Sequence, residues 1–447
     1  MSHETPDVLR EELERTRHEL RQARERIAMM EMSFFWKLRN AWWAFKDLFQ
    51  ARDSAASPST RDRNVAWHMP PRDLPPDPDP TGGRFTGKRV LFLLPIAERG
   101  GGANIVLREA LAMRSMGVDA RVVNLRSFED AFRGAYADPK VPVAFASPGG
   151  IAEVARGFDA VVATANRSVE WLLPLAGVPG GPVLGYYVQD FEPYFYDEGS
   201  AGRAHALASY TLVPGLVRFA KTGWNAKEVE ARCGVPCAVV GPSLDTTIFR
   251  PLGLRRPDPP PVRISAMIRP SSPRRQPELT LRVFERLHER FGDSVDFTLF
   301  GVDPGDAAFR RMSKAFPHRN LGVASDERLA ELFNETHVFA DFSTYQAMGL
   351  TAMEAMACGA AVIVPAAGGA SSFAADGRNA LVVDTARSEA CEAALVRLVE
   401  DAGLAARLGV AARADMETFR PEGAAARILA CLFETAPVSA PASARGS

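Results

Sequence analysis

The stretch Ser343–Pro365, STYQAMGLTAMEAMACGAAVIVP, joins a polar loop to an apolar helix and then to a continuous apolar strand. It follows the run VFADFS (338–343), so the local order is strand, loop, helix, strand, the unit from which parallel sheets are wound. The same alternation extends outward on both sides. Downstream comes ALVVD (380–384); upstream come RISAMIRP (263–270), the helical run LTLRVFERLHERF (279–291), VDFTLFG (295–301) and the helical run DERLAELFNETH (326–337). An earlier series has the same grammar: RVLFLLP (89–95), the helical run 104–117, ARVVNL (120–125), DAVVATA (159–165), VLGYYVQD (183–190), YTLVP (210–214) and CAVVG (237–241). Short apolar strands separated by helices predict parallel sheets covered on both faces, hence an α/β fold of two Rossmann-like halves. The join falls near LDTTIFRPLGLRRPDPPP (244–261), where proline and arginine break the periodicity.

Composition narrows the function class. A chain of 447 residues, 47% hydrophobic and 24% charged, has material for two cores. A formal net charge of -1 provides no basic field, so nucleic acid is not an expected partner. Cys233, Cys237, Cys358, Cys391 and Cys431 lack the paired short spacings of a zinc site or a disulfide framework, which favours the reducing cytoplasm. The first residues are too charged for a secretory signal, and no run of about 18 apolar residues is available to span a bilayer.

Residues 8–34 repeat Leu13, Leu20, Ile27 and Phe34 one heptad apart, with Leu9, Thr16, Ala23 and Met30 at the companion position, a coiled-coil pattern. Residues 34–49 crowd Phe34, Phe35, Trp36, Trp42, Trp43, Phe45 and Phe49 onto a weakly basic helix, suited either to the inner face of the plasma membrane or to docking on a partner. The organisation expected is a coiled coil with an aromatic amphipathic helix over 1–50, a disordered Pro-rich linker over 51–86, Rossmann-like domains over 87–248 and 249–415, a C-terminal helix over 416–435 and a disordered tail over 436–447. Within the linker, Asp77 and Asp79 imitate a metal-binding Asp-x-Asp, but a proline-studded tether does not fix two carboxylates around a cation. No metal and no cofactor are expected.

In an open parallel sheet, ligands bind beyond the carboxyl ends of the strands, which singles out three loops. Gly100, Gly101 and Gly102 follow RVLFLLP and open a helix, allowing close backbone approach by an anion; the third glycine of a dinucleotide fingerprint is Ile105, which argues against NAD. After VLG, the run Tyr186–Tyr196 interleaves Gln189, Asp190 and Glu192 with Tyr187 and other rings, a composition that suits carbohydrate. After RISAMI, Arg269, Arg274 and Arg275 can trap a diphosphate, replacing a metal ion. Glu354 stands apart: a carboxylate in an Ala, Met, Leu and Thr helix needs donors, and two vicinal ribose hydroxyls have the right geometry.

The segment 343–365 resembles the signature of glycosyltransferase family 4, S-x-x-E-G-F-G-L-x-x-x-E-A-M-A-x-G-x-P-V-I, and the resemblance extends over roughly residues 88–435. RGGGAN (99–104), IRPSSPRR (268–275), TLFG (298–301) and Gly368-Gly369 resemble further family motifs, and YYVQDFEPYF with the coiled coil is similar to WsaF-like rhamnosyltransferases. The resemblance implies a GT-B fold, two Rossmann-like domains facing a cleft, and retaining, metal-independent transfer of a sugar, L-rhamnose from dTDP-L-rhamnose, to a growing surface polysaccharide or O-antigen. By position, Gly101, Gly102, Arg269, Arg275, Gly301, Gly349, Leu350 and Glu354 would bind the nucleotide-sugar donor. Tyr187, Gln189, Asp190 and Glu192 would meet the glycan or lipid-linked glycan acceptor, and Arg269, Arg274, Gln346 and Asp190 would serve the chemistry. Two positions depart from the pattern: Gln346 replaces the first family glutamate, and Ser372 stands where an acid follows the Gly368-Gly369 turn. The implied partners are a coiled-coil homodimer or a partner glycosyltransferase, and the implied place is the cytoplasm with peripheral membrane contact. Two rivals remain: a GT-B sugar-nucleotide epimerase using His205 beside a carboxylate, and a non-catalytic sugar-nucleotide-binding scaffold.

Overall fold

The computed structural model describes residues 66–67, 80–253 and 258–434. The expected coiled coil, the aromatic helix 34–49, Asp77 and Asp79, and the tail 436–447 lie outside the described residues. Among the described residues, seven parallel strands form the first sheet: β1 (Arg89–Leu93), β2 (Asp119–Leu125), β3 (Val143–Ala146), β4 (Ala160–Ala163), β5 (Val183–Val188), β6 (Val217–Ala220) and β7 (Ala238–Val239). Six form the second: β8 (Val262–Met267), β9 (Val295–Phe300), β10 (Arg319–Asn320), β11 (Val338–Ala340), β12 (Ala361–Pro365) and β13 (Leu381–Val383). Most of their Val, Leu, Ile and Phe side chains are buried on both faces, as a sheet covered by helices on each side demands, while Val239 on the edge strand β7 is exposed.

The first sheet runs β3-β2-β1-β4-β5-β6-β7 and the second β10-β9-β8-β11-β12-β13. Each reverses its winding once, between β1 and β4 and between β8 and β11, which opens a crevice beyond those strand ends. The two domains are therefore built on the same plan.

Helix α1 (Gly101–Ser115) leaves the first switch point; α2 (Gly223–Cys233), capped by Thr222 Oγ1 accepting from Asn225 N, follows β6. In the second domain, α3 (Pro277–Phe291) starts with proline at its first position and buries Leu279, Leu281, Val283, Phe284 and Leu287 along one stripe before stopping at Gly292. Helices α4 (Asp326–Glu335) and α5 (Leu350–Ala357) flank β11, and α5 turns Ala352, Met353, Ala355 and Met356 into the core. The expected C-terminal helix forms as α6 (Pro421–Phe433) and returns to the first domain. There Leu432 meets the backbone of β5 at Gly185, Phe419 O accepts from Leu244 N at 2.9 Å, and Arg427 donates to Val240 O. One apolar cluster runs from Val90 and Phe92 through Phe249 and Phe333 to Met353, Met356 and Ile428, so the domains share a core.

Two expectations change. The strand placed at 210–214 lies instead at β6: Tyr210 is fully buried at the end of a helix, and the segment after it turns before the strand begins. The linker 51–86 carries anchors that composition hides. Trp67 packs on Phe158 (6.1 Å between centroids) beneath the Arg121 guanidinium (4.8 Å), and Phe85 is buried against Phe433.

Candidate functional site

The second sheet's switch point sets Arg269–Gln276, after β8, beside Asp341–Gln346, after β11. Gln276 adopts φ 47° and donates Nε2 to Phe342 O at 2.9 Å, while Thr344 N donates to Arg274 O at 2.7 Å. These bonds fasten one loop to the other and thrust Arg274 across the cleft. Its Nη2 lies 3.2 Å from Asp190 Oδ2 of the first domain, and its guanidinium stacks over Tyr345 (5.3 Å) and Phe195 (5.8 Å). Arg274 Nη1 is buried without a hydrogen-bond acceptor, a cation with unspent capacity in the cleft. Burial opposes the charge of Arg275 and pulls its pKa down, while Asp341 is the strongest influence sustaining it. Arg269, exposed at the loop's start, adds positive charge beside Arg275.

The first domain meets this loop with the residues after β5. Gln189 lies against Gly102, where a Cβ would stand 2.6 Å from Gln189 Oε1, and Asn225 Nδ2 of α2 donates to Gln189 O at 3.2 Å. Asp190 is buried, and burial raises its pKa against the opposing pull of Arg274 and of the Phe191 amide, which donates to Oδ1 at 2.8 Å. Trp224 of α2 and Tyr345 of the second domain stack 5.1 Å apart with Tyr194 beside them, an aromatic wall contributed by both domains.

The expected acceptor contacts Tyr187 and Glu192 do not line the cleft. Tyr187 is fully buried and donates its hydroxyl to Glu109 Oε2 at 2.7 Å, within a network in which Lys221 and Ser243 hold Oε1 of the same carboxylate. Glu192 accepts from Asn166 N at 2.9 and 3.1 Å and from the Tyr186 hydroxyl at 2.9 Å, and burial pushes it up to about 7. Both correct the sequence reading. Tyr187 lies inside β5, a strand buried on both faces, and Glu192, in the turn after it, faces inward because the Asn166 amide and the Tyr186 hydroxyl await it there.

Of the expected donor residues, Gly101 approaches Leu350 of α5 across the domain boundary, with a Cβ there standing 3.5 Å from Leu350 Cδ2. Gly349 caps α5 in the left-handed region with φ 90°, and Gly301, φ 86°, ends β9 with its amide donating to Gly322 O at 2.7 Å. Gly368, φ 100°, is where backbones touch: a Cβ would lie 2.2 Å from Gln346 O, so the 346 loop and the 368–369 turn fit only around glycine.

Glu354 projects from α5, 6% exposed, its carboxylate without a hydrogen bond or ion pair from the described residues. Burial pushes it up to about 8; Arg108 of α1 draws it down, and Asp326 and Asp245 push it further up. Arg108 Nη2 bonds Asp326 Oδ2 at 2.6 Å and its Nε lies 3.4 Å from Asp245 Oδ2, while Nη1 is buried without a partner. Two polar groups of unspent capacity, one from each domain, thus share one electrostatic neighbourhood. The sequence reading missed Arg108, which no motif marks, and Asp341, which the strand-end rule reaches once VFADFS is cut after Ala340. Nδ1 of His205 lies 3.4 Å from Glu170. Among the described residues, no three His, Cys, Asp or Glu side chains converge to hold a metal ion.

The family model described as Glycosyl transferases group 1 matches residues 259–415, the span of the second sheet and the α5 helix. The O-antigen biosynthesis protein RfbC of Myxococcus xanthus is 30% identical over 281 residues, 62% of this chain and 21% of RfbC. D-inositol 3-phosphate glycosyltransferase of Mycobacteroides abscessus is 28% identical over 169 residues, 34% of this chain and 36% of that protein. The chain thus spans about a fifth and about a third of the lengths of these two relatives. Among solved structures, HepE of Anabaena in complex with UDP-glucose superposes with a TM-score of 0.61 at 16% identity, covering 78% of this chain and 100% of HepE. Sucrose-phosphate synthase of Thermosynechococcus elongatus superposes at 0.61 and 17% identity, covering 76% of this chain and 97% of that one. Together with the paired switch points, these likenesses establish the GT-B fold. Among the described residues, no helix is long and apolar enough to cross a membrane.

Proposed function

We propose that the chain is a glycosyltransferase that moves a sugar from a nucleoside diphosphate to a growing surface glycan. The observation that carries this reading is the pairing of Arg274 with Asp190 across the cleft, beside Arg275 and Gln346, where the strand ends of both domains converge. Arginines at that point can hold a diphosphate while negative charge builds on it, and Arg274 Nη1 has a bond to give. Glu354 would accept from the ribose hydroxyls, and the amides at Gly101 and Gly102 at the start of α1 would face the phosphates. Gln189 and Asp190 would hold the acceptor hydroxyl against the aromatic wall of Tyr194, Trp224 and Tyr345.

In the transfer itself, the acceptor oxygen forms a bond to the anomeric carbon as the bond from that carbon to the diphosphate oxygen breaks. The acceptor's proton passes to the departing phosphate oxygen, so no side chain need act as base. This is the retaining course implied by the resemblance, with L-rhamnose as the sugar and dTDP as its carrier. The name of the Myxococcus relative favours an O-antigen acceptor, and the inositol-phosphate relatives supply the alternative acceptor to include in assays. The aromatic helix 34–49 would bring such an acceptor close by resting on the membrane, with the heptads of 8–34 joining two copies.

Incubation with dTDP-L-rhamnose or UDP-glucose, with and without a lipid-linked glycan fraction, separates the readings. Donor consumption with glycan extension supports transfer. Conversion of the free nucleotide sugar to its epimer would replace transfer with epimerisation, and tight nucleotide binding without turnover would leave a sugar-nucleotide scaffold.

A further inference from the structure

Asp341 follows directly on β11, at the switch point of the second sheet. Its Oδ1 accepts from Ser343 N at 3.0 Å and from the Ser343 hydroxyl, and its Oδ2 accepts from Gln346 Nε2 at 2.8 Å. The same Nε2 reaches Ser343 Oγ at 2.8 Å. All three residues are buried. An ionised carboxylate can only accept, so the chemistry fixes the Gln346 amide: its NH2 faces Asp341 and its Oε1 faces away, accepting nothing from the described residues. Arg275 lies within electrostatic reach of Asp341, which sustains its charge against burial.

A second carboxylate at position 346 would place two anions at hydrogen-bond distance, and one would have to take up a proton. Two amides would leave Arg275 without its strongest anionic neighbour. The site therefore admits one negative charge shared between positions 341 and 346. We infer that Asp341 is a positioning residue: it supplies that charge in place of a glutamate at 346 and holds Gln346 with Oε1 turned outward to accept from a hydroxyl of the donor sugar. Gln346 is then a working partner of Asp341 rather than a mark of lost activity. This inference rests on the donor reading above.

The test is a charge exchange. Asp341→Asn, Gln346→Glu and the double variant are titrated with UDP-glucose and dTDP-L-rhamnose and with UDP and dTDP alone, and the dissociation constant with the sugar is divided by the one without it. Each single variant is expected to worsen that ratio about tenfold, and the double variant to return to within about threefold of wild type. Gln346→Glu alone is also expected to lose sugar recognition as pH rises from 6 to 8, because its added carboxyl must then ionise beside Asp341. A purely structural role would lower all the melting temperatures without moving the ratio. If Gln346→Glu does not fold, the comparison of Asp341→Asn with the double variant still decides. A double variant no better than the product of the singles, or an unchanged ratio in Asp341→Asn, would overturn the inference while leaving nucleotide binding intact. Failure of the wild type to bind either nucleotide would remove the donor reading and this inference together.

Discussion

Replacing Glu354 with glutamine removes one proton-binding site from the cleft and leaves its shape unchanged, so it isolates the electrostatic role of that residue. In the free chain, burial holds the carboxyl up at about 8, because Arg108 is the only one of its three charged neighbours that favours the anion. At pH 7 the group is then about 0.9 protonated. Ribose hydroxyls donating to it would favour the carboxylate and return its pKa toward the ordinary 4.5, so binding at pH 7 should release about 0.9 proton. The same linkage makes affinity rise about fiftyfold between pH 6 and pH 8, then level off. Calorimetric titration with UDP-glucose and dTDP-L-rhamnose, in buffers of different ionisation enthalpy, measures the released protons directly. A sugar diphosphate has no terminal phosphate titrating in this range, and Glu192, which also titrates near 7, keeps its partners inside the first domain. Glu354→Gln should bind without proton release and with flat affinity over the same window. Proton release equal in the variant and the wild type, or wild-type affinity that does not change from pH 6 to 8, would refute the assignment of Glu354 to the ribose.

Glu192 and Glu354 both have folded pKa values above their usual 4.5, so each contributes stability that is fully present below about pH 4.5 and is lost as pH rises through about 7 and about 8. Glu192→Gln should therefore flatten the fall in unfolding free energy between pH 5 and 8 by about 3 kcal/mol, read by denaturant titration at the two pH values. Gly368→Ala must move a Cβ that would stand 2.2 Å from Gln346 O at φ 100°, and should cost about 3 kcal/mol or more by urea unfolding. Lys221→Met leaves Glu109 buried with one fewer donor and should cost about 3–5 kcal/mol, with Glu109→Gln added to it recovering a part. Asp190→Asn leaves Arg274 without its carboxylate across the cleft and should lower transferase turnover about a hundredfold while moving the melting temperature by only a few degrees.

Much of the fold was legible because a buried parallel strand writes itself as a continuous apolar run. RVLFLLP, VDFTLFG and AAVIVP each became a strand within a residue or two of the run. The edge strands β3 and β10 escaped notice: Val143–Ala146 sits between Pro142 and Pro148, which read as a loop, and Arg319–Asn320 has no apolar residue. The strand-end rule singled out Asp190, Gln189, Arg274 and Arg275, and the resemblance singled out Gln346; in the structure Arg274 reaches Asp190 across the cleft, beside Arg275. It could not tell that Tyr187 and Glu192 point inward, because that choice depends on Glu109 and Asn166, which lie far away in the chain. Arg108 was invisible for the same reason: its partners Asp245 and Asp326 lie far from it in the chain, Asp326 in the other domain. At position 346 the sequence shows only a departure from the family glutamate; the structure adds Asp341, with which Gln346 forms one hydrogen-bonded unit.

The central claim, that the cleft between the two domains binds a nucleoside diphosphate, is tested most directly by thermal unfolding of the full chain with UDP, dTDP, GDP and ADP, wild type beside Glu354→Ala. The account predicts that one nucleotide raises the melting temperature, by about 2–4 °C when present at a hundred times its dissociation constant, and that the shift vanishes in the variant. A folded wild-type protein whose melting temperature none of the four nucleotides moves at millimolar concentration would contradict it.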